Sequence, residues 1–135
     1  MRVLALDFGS ARCGCALSDP TGTIVTPIAT VERPDSKRGI TQLRELVRER
    51  EVERVVVGLP LSLSGADTEQ TRLTRAFAER LSRYLGEGVP VEMHDERFTT
   101  RMAQRESISR PPFSTSEDSR AAAHILESWL AARSR

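Results

Sequence analysis

The chain has 135 residues, 39% hydrophobic and 29% charged, the composition of one globular domain over 1–135 rather than of a disordered chain. Twenty basic residues against 19 acidic ones leave a net charge of +1, which argues against a strongly basic protein that coats nucleic acid. The longest apolar runs, such as Val3–Leu6 and Val55–Val57, hold only a few residues, far short of the roughly 20 that a membrane helix needs. Asp7 follows Met1-Arg2 too soon for a signal peptide, so a cytoplasmic protein with no membrane partner is expected.

Arg2-Val3-Leu4-Ala5-Leu6-Asp7 reads as a buried strand ending on an acid, with a turn at Gly9-Ser10. Cys13–Ser18 forms a second strand and Thr23–Val31 a third, bulged or broken at Pro27. Two tight connections in a row make an antiparallel meander. The period then changes: Ile40, Leu43, Leu46 and Val47 mark an amphipathic helix. Arg54–Gly58 is a strand apolar on both faces, as in the interior of a parallel sheet. After a polar loop, Leu59–Ala66, the run Asp67-Thr68-Glu69-Gln70 predicts a capping box. It opens a helix with the core stripe Leu73, Phe77, Leu81 and Tyr84 or Leu85, stopped at Gly86 and Gly88. A strand over Val89–His94 and a short helix over Thr99–Ser107 follow, then a loop with Pro111-Pro112. Ser114-Thr115-Ser116-Glu117 predicts a second capping box, opening a last helix with Ala122, Ile125, Leu126 and Trp129 on one face. This order predicts an α/β, ribonuclease H-like fold. Its mixed five-stranded sheet combines an antiparallel meander with parallel strands and carries helices on both faces.

In open α/β sheets the site lies beyond the carboxyl ends of the parallel strands. Two of those ends deliver acids here, at Asp7 and at Asp95-Glu96. Asp118 lies four residues before Ala122, seven before Ile125 and eleven before Trp129, a spacing that puts it on the buried stripe of the last helix. Asp7, Glu96 and Asp118 sit on separate elements with no lysine nearby, a pattern for Mg²⁺ or Mn²⁺, which favour oxygen ligands. Two such ions would clamp the attacking and leaving oxygens of a phosphodiester displacement. Asp95 should point away from Glu96, bonding the backbone or a metal-bound water. His94 either assists proton transfer or makes a structural hydrogen bond at the sheet end, the commoner role. His124 falls off the Asp118 face, toward solvent.

Nineteen of the 20 basic residues are Arg, Lys37 being the exception. Genome composition accounts for such a bias, and so does a phosphate-binding face, because the guanidinium fork matches phosphate. Arg97, Arg101 and Arg105 at a spacing of four form a stripe beside Glu96, either a solvated face or a phosphate clamp. Arg12 is a further candidate, and Arg72, Arg75 and Arg83 are weaker ones. Ser62, Ser64 and Gly65 could offer donors to phosphate from their loop. Cys13 and Cys15 share one strand face and are read as core, since two thiols cannot complete a zinc site alone.

Four blocks carry a resemblance. Leu6-Asp7-Phe8-Gly9-Ser10, Val57-Gly58-Leu59-Pro60, Asp95-Glu96-Arg97-Phe98-Thr99-Thr100 and Glu117-Asp118-Ser119 with Ala122 and Ile125-Leu126 resemble the signature blocks of the YqgF or RuvX family of Holliday junction resolvases and pre-16S rRNA nucleases. The resemblance runs from Val3 to about Leu130. It implies a divalent-metal nuclease with catalytic acids at Asp7, Glu96 and Asp118, acting on precursor rRNA or branched DNA. A symmetric substrate would favour a homodimer, but no exposed apolar stripe demands one over a monomer. The chain departs from the family in its second strand, where Arg12-Cys13-Gly14-Cys15 puts thiols in place of aliphatics. Its segment between Ser107 and Ser116 is also short. Two rival readings exist: an actin-like phosphate-binding ATPase or kinase module, suggested by Asp7-Phe8-Gly9-Ser10, and an inactive nucleic-acid-binding protein. The first needs two related domains to enclose a nucleotide; the second has no use for three intact acids.

Overall fold

The computed structural model describes residues 1–98 and 117–133. Five strands form one sheet in the order β3-β2-β1-β4-β5. They are β1 (Val3–Asp7), β2 (Arg12–Ser18), β3 (Val25–Glu32), β4 (Arg54–Leu59) and β5 (Val91–Asp95). β1–β2 and β2–β3 are antiparallel, and β1–β4 and β4–β5 parallel. This is the mixed sheet expected from the element order. The helices are α1 (Lys37–Glu49), α2 (Glu69–Leu85) and α3 (Glu117–Arg133), with a 3₁₀ turn at Glu96–Phe98. Among the described residues, no helix is long and apolar enough to cross a membrane.

Alternation along β1 sorts the core into two layers. Leu4, Leu6, Cys13, Cys15, Val55 and Val57 pack with Ile40, Leu43 and Val47 of α1 and Phe77, Ala78 and Leu81 of α2. Val3, Ala5, Ala16 and Val56 pack with Ala122, Ala123, Ile125, Leu126 and Trp129 of α3. Each fully buried Leu or Phe side chain contributes about 1.5–3 kcal/mol, so both faces of the central strands hold their helices firmly. The two cysteines are free thiols in the first layer.

Several expectations need correction. β3 runs unbroken through Pro27, which pairs with Ala16; the register slips farther along, between the Cys13↔Val31 and Cys15↔Ile28 pairs. Proline is tolerated because β3 is an edge strand. The cap of α2 is Thr68 with Thr71, not the box begun at Asp67. The stripe of α2 is Thr71, Thr74, Phe77, Ala78 and Leu81, with Leu85 packed at its edge, whereas Leu73 and Tyr84 are 45% and 40% exposed. Apolarity alone misled there. Thr71 and Thr74 take core positions because their hydroxyls bond Pro60 O and Gln70 O, removing the cost of an unsatisfied buried polar group. His124 is half-buried rather than solvent-facing. The short helix over Thr99–Ser107 and the Ser114–Ser116 part of the second capping box lie outside the described residues.

Candidate active site

Asp7 shares the parity of Val3 and Ala5, so it faces α3, while Phe8 turns to the opposite layer and stacks on Phe77 with ring centroids 4.4 Å apart. That anchor holds the end of β1. On β5, Val91 and Met93 pack into the α1/α2 layer. Glu92 and His94 alternate to the α3 side, and His94 Nε2 bonds Ser128 Oγ of α3 at 2.8 Å. Burial holds the imidazole below its usual range. Glu96 follows on the 3₁₀ turn and also reaches the α3 side, where its side chain lies over Gly58.

Two glycines let neighbouring groups pack directly on the sheet backbone. A Cβ on Gly58 would lie 2.5 Å from Ile125 Cδ1 and 3.1 Å from Glu96 Cδ. A Cβ on Gly14, the β2 partner of Asp7, would lie 1.9 Å from the backbone oxygen of Asp118. α3 therefore begins directly on β2. Ser119 completes the joint: its Oγ accepts from Cys15 N at 3.2 Å and donates to Ile28 O at 2.5 Å, bridging the two strands beside their register slip. The sequence reading names Gly14, Gly58 and Ser119 within its blocks but assigns them no role. The detectable signal was a run of small residues, Gly14 and Ala16 against Ser119, Ala122 and Ala123, where a helix meets a sheet closely. Gly14→Ala should cost about 1–3 kcal/mol in a denaturant melt, as overpacking against a fixed backbone does; an unchanged midpoint would mean that α3 can slide.

Two of the three acids titrate out of their usual range. Burial, then the charge of Asp118, pushes the Asp7 carboxyl from 3.8 up to about 6. Burial, then Asp7 and Asp95, pushes Glu96 from 4.5 up to about 7. Asp118 is less enclosed than its stripe position suggested: its side chain is 40% exposed, and Oδ2 accepts from Arg12 Nε at 2.7 Å. The acids face one edge without closing on it. Among the described residues, no three His, Cys, Asp or Glu side chains reach metal-ligand spacing. The donor chemistry nevertheless suits a hard cation. Asp7 and Glu96 are oxygen donors in excess negative charge, and the missing side chain at Gly58 lets Glu96 lie close against β4.

The arginines divide. Arg97 donates to Asp95 through its backbone N at 2.9 Å, and its Nη2 reaches Oδ2 at 2.7 Å. Arg75 pairs with Asp67 and Arg83 with Glu79. Arg101 and Arg105 lie outside the described residues. In the β4–α2 loop, Ser62 and Ser64 share a hydrogen bond at 2.9 Å and Gly65 N donates to Ser62 O at 2.8 Å, so those groups serve the loop's own turn.

The model of the RuvX family, described as Holliday junction resolvase, matches residues 1–132. The chain belongs to the RuvX family. Relatives named "Putative pre-16S rRNA nuclease" include one from Anaeromyxobacter sp., 40% identical with 98% of each chain covered, and one from Rippkaea orientalis, 40% identical with 96% and 95% covered. The fold of this RuvX chain is similar to that of T. thermophilus RuvC in complex with Holliday junction substrate, with a TM-score of 0.63, 16% identity and coverage of 99% and 96%. It is also similar to the fowlpox virus Holliday junction resolvase, with a TM-score of 0.56, 14% identity and coverage of 98% and 99%. These two establish the ribonuclease H-like fold. The RuvX match spans Asp7, Glu96 and Asp118 together with Gly14, Gly58 and Ser119.

Proposed function

We propose that this RuvX protein is a divalent-metal-dependent endonuclease acting on structured nucleic acid, with Asp7, Glu96 and Asp118 holding Mg²⁺ or Mn²⁺, two ions in the working state. The observation that supports this is that Asp7 at the end of β1, Glu96 on the turn after β5 and Asp118 at the start of α3 face one sheet edge, with Asp7 and Glu96 pushed up to about 6 and about 7. Carboxylates kept short of counter-charge at a cost to the fold are expected of a site that takes a cation. The family match favours the nuclease over the phosphate-hairpin reading. The names of the relatives point to processing of the pre-16S rRNA, and the family's description to junction cleavage.

When bound, the metal supplies Lewis-acid stabilisation of charge on the phosphate and a more acidic water. In the reaction a water oxygen bonds to phosphorus as one ester P–O bond breaks, and the departing oxygen takes a proton. Asp7 and Glu96 give up their protons on loading, so occupancy should rise with pH through the range where they titrate. Arg12 is exposed, and solvent screens an exposed ion pair to a small contribution. It can leave Asp118 at little cost and contact a substrate phosphate, with Arg101 and Arg105 as further contacts.

The test is a cleavage panel with Mg²⁺ and with Mn²⁺ over four-way DNA junctions, RNA duplexes and an rRNA precursor leader. Metal-dependent cutting of one class is expected; cutting of none, with binding retained, would leave the inactive-binder reading. Arg101→Ala should reduce the salt dependence of binding by about one unit and weaken all sequences alike. An unchanged slope returns that stripe to solvent.

A further inference from the structure

We infer that the Asp95–Arg97 pair is a positioning brace that locks the β4–α2 loop to the end of β5 beside Glu96, so that Arg97 acts through the loop rather than on phosphate. The inference deepens the nuclease reading and rests on it for its catalytic consequence.

The geometry is specific. Asp95 ends β5 with the parity of Val91 and Met93, so it sits on the α1/α2 side while Glu96 turns to the α3 side. Adjacent acids thus serve opposite faces. Asp95 Oδ1 accepts from both Arg97 N at 2.9 Å and Arg97 Nε at 3.1 Å; Oδ2 accepts from Nε at 3.0 Å and Nη2 at 2.7 Å. The backbone contact fixes the turn that carries Glu96, and the side-chain contacts fix the guanidinium. Asp95 is half-buried and Arg97 lies at the surface, their side chains 17% and 31% exposed, and Arg97 holds the Asp95 carboxyl below the usual carboxylate range.

The guanidinium then reaches across to the loop. Nη1 donates to Leu63 O at 3.3 Å and lies 3.1 Å from where a Cβ on Gly65 would stand. The loop is itself closed by Ser62 N to Ala66 O at 3.1 Å and Gly65 N to Ser62 O at 2.8 Å. It therefore moves as a unit, and Arg97 ties that unit to the Glu96 turn. A lysine cannot replace a fork that bonds a carboxylate twice and a carbonyl once. A guanidinium held this way is badly placed to follow a phosphate. Misplacing the turn would instead shift Glu96, and displacements of about 1 Å near the chemistry can cost on the order of 10²-fold in rate.

Arg97→Ala, Asp95→Ala, their double variant and Arg97→Lys would be compared with the parent in three measurements. These are hydrogen exchange over residues 61–66 in chelator, the salt dependence of nucleic-acid binding, and kcat and KM on the best substrate of the cleavage panel. Melting temperatures confirm that each variant is folded. The brace predicts faster exchange over 61–66 in all four variants and an unchanged salt slope. It also predicts a kcat lower by roughly 10- to 100-fold with KM within about threefold. The double variant should be no worse than the worse single, and lysine should not rescue. The proposal is overturned if Arg97→Ala lowers the salt slope by about one unit while loop exchange and kcat hold, since Arg97 is then a phosphate ligand. Effects of Asp95→Ala and Arg97→Ala that simply add would also overturn it. A parent that cuts no substrate in the panel sinks the nuclease reading and the catalytic role with it; the exchange comparison then shows separately whether the pair holds the loop.

Discussion

Asp7→Asn, Glu96→Gln and Asp118→Asn are each expected to lower metal-dependent cleavage by roughly 10³-fold or more, since a metal-assisted step draws several kcal/mol from its ligands and every 1.36 kcal/mol is tenfold. Binding of uncleaved nucleic acid should be largely kept, because contacts with the phosphate backbone come from other side chains. The acids come from β1, the 3₁₀ turn and α3 but form one unit, so double variants should be little worse than singles. Single-turnover cleavage beside a binding titration in chelator reads both effects. Full activity in any one variant removes that acid from the ligand set. Asp118→Asn carries a second reading, because it also releases Arg12 from its 2.7 Å contact. If Arg12 contacts phosphate, that variant should bind substrate at least as tightly as the other two.

Asp7→Asn is also expected to stabilise the metal-free protein at neutral pH. The native carboxyl titrates near 6 against 3.8 in an ordinary environment. Below about pH 3.8 both states are protonated and Asp7 costs nothing. Between 3.8 and 6 the unfolded chain ionises first and stability falls; above 6 the penalty is complete. At 1.36 kcal/mol per unit it is at most about 3 kcal/mol. Glu96 adds a penalty of the same sign between 4.5 and about 7. In chelator, therefore, Asp7→Asn and parent should melt alike near pH 4 and separate by pH 7.5, with the variant higher. Metal reverses the order. A ligand at 100 times its dissociation constant adds about 2.7 kcal/mol to the native state alone, so Mn²⁺ should raise the parent far more than the variant. Equal responses would show that Asp7 is not a ligand. A variant that melts lower in chelator would make Asp7 a structural acid of the turn.

Local pattern alone determined a good deal of this protein. Alternation and apolar runs located all five strands to within a few residues, and the i, i+3, i+4 spacing located α1 and α3, because burying one face of an element is a local constraint on its sequence. Acids closing β1 and β5 were legible for the same reason: a carboxylate at the end of an apolar strand stands out against its neighbours.

What only the tertiary structure decided is which group each side chain meets. The stripe of α2 moved from Leu73 to Thr71 and Thr74 because Pro60 O and Gln70 O were there to take their hydroxyls. Gly14 and Gly58 gained meaning only when Asp118, Ile125 and Glu96 were packed over them. Arg12 turned out to face an acid 106 positions away, and Arg97 an acid two residues away, a choice that spacing cannot make because an arginine fork fits a carboxylate and a phosphate equally well. Sequence periodicity reports which face of an element is buried; which group waits on the other side is set by packing.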